Sequence, residues 1–269
     1  MKEPEKIGVI TRREYEWLKT FKTLEPHEEK KVKEFEEVNN KPIQVVKEEK
    51  PKKEIKKITI TKGLLWKNFL IFFKAETGQD FQQTKDSIEN IAPIINFFAL
   101  DDNFFRSNRL VKKYNEPSFD KGLLVIGMFG NGKTTIFKVL SKMFKHFNMP
   151  MRFKAVNAHD LVTEWETLDS PGDKYLFFEK YLCRSLYIDD VKKEKTASNY
   201  GKSEVIKEIL EKRYDLKLRT YITCNYRESD SVGDLNDALM EFNRYGNHIY
   251  DRLFEMFNII EFKGKTFRK

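Results

Sequence analysis

Gly122-Leu123-Leu124-Val125-Ile126-Gly127-Met128-Phe129-Gly130-Asn131-Gly132-Lys133-Thr134 decides the fold of this 269-residue chain. A short apolar strand, Gly122 to Ile126, runs into a full GxxxxGK[ST] match, and a helix is predicted to follow, which is the strand-to-helix setting the motif requires. Glycines in such a loop let backbone N–H groups turn inward around phosphate oxygens, and the helix that follows begins at its positive end, so anion binding follows from backbone geometry. Lys133 is placed to reach β and γ phosphates, and Thr134 offers a hydroxyl to Mg²⁺. Gly127, Gly130, Asn131, Gly132, Lys133, Thr134 and Thr135 are the expected contacts of a nucleoside triphosphate, read here as ATP.

From Lys121 onward apolar strands and helical stretches alternate, the signature of a parallel sheet covered by helices on both faces. Strands are predicted near Gly122 to Ile126, Arg152 to Val156, Ser185 to Asp189, Arg219 to Thr223 and Asn258 to Phe262, giving a five-stranded α/β domain of the P-loop NTPase class. In the third, Leu186-Tyr187-Ile188 leads into two carboxylates. The first, Asp189, is expected to accept the magnesium's water shell, and the second, Asp190, to orient or deprotonate an attacking water. The fourth ends in Thr223-Cys224-Asn225, which brings the polar Asn225 to the same edge of the sheet. Arginines near the carboxy terminus are Arg244, Arg252 on a helix predicted over Tyr245 to Met256, and Arg268.

Upstream, residues 58–120 form a helical segment leading into this core. Trp66, Phe69, Phe72 and Phe73 recur on one stretch and Ile88, Ile91, Ile95 and Phe98 on the next, with Thr84 as the second helix's N-cap. Their spacing is that of buried helix faces. Residues 1–57 are dense in Lys and Glu and poor in aliphatics, the composition of an exposed helix or disordered arm that buries no core. Within it, Tyr15, Leu18, Phe21 and Leu24 define a short amphipathic helix over 12–24, either packed on its own unit or docking a partner, followed by a basic tether, Lys47 to Lys57.

The 50 Lys and Arg exceed the 42 Asp and Glu by enough to give a net charge of +8, which favours an anionic partner such as nucleic acid. Cys183 and Cys224 fall in no metal-binding or disulfide pattern, which suits a reduced, cytoplasmic chain. No apolar run approaches the roughly 18 residues of a membrane span, and the amino terminus carries no apolar signal region.

The order of P-loop, Asp189-Asp190, Thr223-Cys224-Asn225, Asp251-Arg252-Leu253-Phe254 and terminal Phe267-Arg268 resembles the DnaC/IstB-like branch of AAA+ ATPases, over roughly Lys121 to Lys269. That branch contains helicase loaders, which place a replicative helicase on single-stranded DNA, and ATPase subunits of certain transposons. By this resemblance Asn225 is a sensor 1 residue, Arg252 an arginine finger donated to a neighbouring subunit in a homo-oligomer, and Arg268 a sensor 2 residue. Many AAA+ enzymes have Asp-Glu where this chain has Asp-Asp, so slow, switch-like hydrolysis is implied. The chain ends soon after its last predicted strand, without the further lid or DNA-binding domain of initiator-type relatives, which leaves DNA to the ATPase domain itself. Family architecture then points to Arg152, Lys154, Lys192, Lys193, Lys195 and Lys202 as DNA contacts. Within that branch, the separate, tethered amphipathic segment at Tyr15 to Leu24 favours a helicase loader whose amino-terminal arm docks on the helicase. An IstB-like ATPase on duplex DNA that recruits a transposase, and a scaffold that binds ATP without hydrolysing it, are the alternatives.

Overall fold

The computed structural model describes residues 18–19, 25–39, 61–192, 204–226 and 233–267, in two compact units, Met1–Lys57 and Ile58–Lys269. Most of the expected 12–24 helix, the tether, Lys193, Lys195, Lys202 and Arg268 lie outside the described residues. In the first unit, helix α1 spans Pro26–Asn39. Leu18, one of the apolar positions of the expected docking helix, is buried with Val32 and Phe35, and Lys19 pairs with Glu36 at 2.7 Å. The apolar residues of α1 in this small cluster, four positions or fewer apart, share one face.

The second unit is a sheet between two helical layers. Its elements are α2 Lys62–Thr77, α3 Lys85–Ala99, a 3₁₀ turn Asp102–Arg106, β1 Leu110–Val111, β2 Gly122–Gly127, α4 Lys133–His146, β3 Phe153–Asn157, α5 Ala158–Glu166, α6 Pro171–Tyr181, β4 Ser185–Asp189, α7 Val205–Asp215, β5 Thr220–Cys224, α8 Leu235–Met240, a 3₁₀ turn Glu241–Tyr245, α9 Asn247–Met256 and β6 Phe257–Phe262. Strand order is β1-β6-β2-β5-β4-β3, parallel except for β1, which runs antiparallel to β6. The parallel strands are the five expected. The sixth, β1, is a two-residue edge ribbon too short to carry a periodic signal in sequence.

Every residue of β2 is buried, as a central strand covered on both faces requires. Alternate residues face opposite layers. Leu124 and Ile126 join a core built with α5 to α9, whereas Leu123 and Val125 join one built with α2, α3 and α4. The aromatic stripes read from sequence lie in the second core, where Leu65 and Phe69 of α2 and Ile91, Ile95 and Phe98 of α3 are buried. Thr84 caps α3, its hydroxyl accepting from Ser87 N at 3.2 Å. No helix among the described residues is long and apolar enough to cross a membrane.

Candidate functional site

β5 lies between β2 and β4 in the sheet, so the C-terminal ends of these three strands put the GxxxxGK[ST] loop, the Asp-Asp pair and Asn225 side by side. The loop turns on Gly130 and Gly132, both at positive φ (75° and 89°), a region that favours glycine. At Gly127 a Cβ would stand 2.7 Å from both Phe262 O and Asn131 Nδ2, so glycine here is what lets β2 leave the sheet past β6. Gly132 gives the next helix no side-chain cap, leaving the first N–H groups of α4 available to an anion.

Lys133 is largely buried and folds back on the loop, its Nζ donating to Gly127 O at 2.7 Å, Met128 O at 2.8 Å and Asn131 Oδ1 at 3.1 Å. Asn131 in turn donates to Phe262 O at 3.4 Å. Beside the loop, Asp189 is 4 % exposed. Its Oδ1 accepts from Thr134 Oγ1 at 2.9 Å, Tyr187 OH at 2.6 Å and Thr223 Oγ1 at 2.6 Å. Register accounts for the last contact: Ile188 pairs with Ile222, so the next residues of β4 and β5, Asp189 and Thr223, are lateral neighbours. Tyr187, fully buried, is pushed well above the ordinary phenol range, by burial first and then by the Asp189 carboxylate, and so remains a donor. Asp190 leaves the strand at φ 55° and accepts from Asn225 Nδ2 at 2.6 Å.

These groups line one cavity of about 420 Å³. Of the expected contacts, Gly130, Asn131, Gly132, Lys133, Thr134, Thr135, Asp189, Asp190 and Asn225 line it, and Gly127 does not. The far wall was not foreseen. It comes from the end of α2 and the connection to α3, including Phe73, Gln79, Phe81 and Gln82, and from Phe267 of the carboxy-terminal tail. The tail is strapped down: Phe267 N donates to Gly130 O at 2.9 Å, and the buried Asn90 exchanges hydrogen bonds with the Lys263 backbone at 2.8 and 3.0 Å. Phe73 was read as a core position because an aromatic that lines a cavity follows the same helical period as one in the core, and Phe81 lies in the connection between α2 and α3, where no period marks it.

An oxygen-only donor set, the Thr134 hydroxyl and the Asp189 carboxylate, suits a hard cation. No group of three or more His, Cys, Asp or Glu that could hold a metal occurs among the described residues. The Thr134 and Asp189 oxygens match the way Mg²⁺ is commonly held, by one or two protein oxygens together with phosphate oxygens and water.

Two arginines lie elsewhere. Arg252 does not line the cavity. Its guanidinium stacks over the Tyr214 ring at 4.3 Å and stands 4.0 Å from Asp215 Oδ1; Glu255, a sequence neighbour, instead accepts from Tyr214 OH at 2.7 Å. Arg244 donates to Lys192 O. Lys192 itself corrects the sequence reading. Its side chain is 7 % exposed and pairs with Glu241 at 2.5 Å, with further bonds to Asn225 O and Ala238 O at 3.0 Å each. It braces the strand ends and offers no charge to DNA.

No family model matches the chain, and no curated protein matches it. Solved structures similar to it include the DnaC helicase loader, at 22% identity over 68% of this chain and 94% of that one, TM-score 0.46. DnaI is similar at 19% identity over 72% of this chain and 93% of that one, TM-score 0.45. AMPPCP-bound DnaA from Aquifex aeolicus is similar at 18% identity over 65% of this chain and 47% of that one, TM-score 0.38.

Proposed function

We propose that the chain is an AAA+ ATPase of the DnaC/IstB-like branch that loads a replicative helicase onto single-stranded DNA. The observation that carries the ATPase reading is the meeting of Lys133, Thr134, Asp189, Asp190 and Asn225 in one cavity at the ends of three adjacent strands. Its volume of about 420 Å³ lies within the range of small-molecule sites, roughly 300 to 1,000 Å³. The loop and the first turn of α4 would hold the triphosphate, and Phe73 and Phe81 offer an apolar wall to the base. Lys133 exchanges its loop carbonyls for phosphate oxygens. Thr134 and Asp189 hold Mg²⁺, which when bound offsets phosphate charge. Asp190, oriented by Asn225, positions and activates the attacking water, and its short side chain keeps turnover slow.

Arg252, remote from the cavity of its own subunit, acts on the ATP of the next one. The tethered amphipathic segment read from the sequence over 12–24 favours the loader over the transposition ATPase, the amino-terminal arm is assigned to the helicase, and Arg152, Lys154, Lys193, Lys195 and Lys202 are kept as the candidate DNA contacts.

The test measures phosphate release and DNA binding by the full chain with and without ATP, on single-stranded and duplex DNA. A loader hydrolyses ATP slowly and holds single strands more tightly with ATP, with a log-log salt slope of about 0.7 per phosphate contacted. ATP-dependent preference for duplex would transfer the chain to the transposition ATPases. ATP binding without any phosphate release would make it a scaffold.

A further inference from the structure

We propose that Tyr187 is a positioning residue that fixes the magnesium-facing carboxylate of Asp189 through its hydroxyl. The proposal rests on the ATP and Mg²⁺ reading of the cavity, and concerns a residue that strand burial alone does not explain. Residues two apart on a strand share a face, so Tyr187 and Asp189 both look towards α4. The Tyr187 ring is 1 % exposed and lies flat on Phe137, with centroids 4.4 Å apart and planes 9° apart. Phe137 stands one turn beyond Thr134 on the same side of α4. One helix therefore holds the ring with Phe137 and touches the carboxylate with Thr134.

An apolar side chain at 187 would serve this packing equally well. The hydroxyl is surplus to it and is spent on Asp189 Oδ1 at 2.6 Å, with Thr223 Oγ1 3.0 Å away. Three donors, from α4, β4 and β5, converge on that one oxygen. Among the described residues none bonds to Oδ2, so the arrangement saturates one carboxylate oxygen and presents the other. Thr134 is the donor that a magnesium ion would claim. Tyr187 and Thr223 are then the two that keep Asp189 from rotating. Outer hydrogen bonds of this kind to metal-binding groups are commonly worth 10- to 100-fold in metal affinity.

Tyr187→Phe keeps the ring and removes only the hydroxyl, and Thr223 retains its bonds to Asp189 and to Asp190 N. A fluorescent ATP analogue bound to the full chain is titrated with Mg²⁺, and its binding is measured separately in EDTA. The Mg²⁺ concentration for half-maximal tight binding should rise about tenfold or more in the variant, with binding in EDTA unchanged and the metal-free melting temperature lowered only by the few degrees that one hydrogen bond is worth. Tyr187→Leu, which removes ring and hydroxyl together, should show the same shift with a clearly larger loss of stability. If Tyr187→Phe titrates with Mg²⁺ like the parent, or weakens binding equally in EDTA, the tyrosine only packs and the proposal fails. A different result, a parent chain with no Mg²⁺-dependent nucleotide binding at all, would remove the ATP site reading and this proposal with it.

Discussion

Lys133 lies in the resting loop as an internal strut, with three acceptors within 3.1 Å of its ammonium. Exchanging two backbone carbonyls and an amide oxygen for phosphate turns neutral partners into charged ones, and charge-assisted hydrogen bonds are roughly twice as strong. Lys133→Ala is therefore expected to lower ATP affinity about 100-fold or more. The fold should lose about 1 to 3 kcal/mol, the worth of hydrogen bonds to a charged group, because water entering the cavity can take up the freed acceptors. Isothermal titration and thermal melting separate the two effects, and an unaltered ATP affinity would remove the lysine from the phosphate site. Asp190 makes the opposite case. Asp190→Asn retains an oxygen to accept from Asn225 Nδ2, now 2.6 Å away, but cannot take a proton from water. Nucleotide should bind as before while phosphate release falls about 100-fold or more, the usual reach of a general base. Hydrolysis at the parent rate would mean that another group activates the water.

Among the elements, α7 depends on a buried cation with no carboxylate beside it among the described residues. Arg213 is fully buried and donates to Tyr181 O at 2.6 Å, Arg184 O at 2.9 Å, Arg219 O at 2.7 Å and Thr220 Oγ1 at 2.8 Å. Burial lowers its pKa to about 10, and the donors are matched by oxygens at the ends of α6, β4 and β5. One side chain thus ties α7 to the start of the strands whose far ends form the cavity. Arg213→Met keeps much of the volume and strands those acceptors, each costing about 1 to 3 kcal/mol when unpaired. A loss of about 3 to 5 kcal/mol is expected, or a melting temperature about 10 °C lower for a unit of this size. A melt within 2 °C or so of the parent, about what 1 kcal/mol gives, would show that solvent replaces the guanidinium.

For the molecule as a whole, the question is whether the site is complete in one subunit. Arg252 is held by Tyr214 and Asp215 away from its own cavity, and exposed pairs of this sort contribute under about 1 kcal/mol. As a finger donated to the next subunit it would be worth roughly 10³ to 10⁵ in rate. An Arg252→Ala subunit with a sound loop is mixed with a Lys133→Ala subunit with a sound finger. Action between subunits predicts that the mixture recovers ATPase activity neither variant has alone, whereas mixed oligomers without recovery would return Arg252 to the surface. The sequence by itself determined the loop, the Asp-Asp pair, Asn225, the parallel strands and the cap at Thr84, because each is a local signal: glycine where φ turns positive, short apolar runs bounded by turns, a hydroxyl before a helix. It also showed Tyr187 and Thr223 without their purpose. Only the tertiary structure decided that β5 lies between β2 and β4, that Thr223 therefore faces Asp189, that Lys192 turns inward to Glu241, and that Phe73, Phe81 and Phe267 close the cavity. The physical reason is that these contacts join residues distant in sequence, through strand order and register, and a helical or strand period says which face a residue occupies but not what that face will meet.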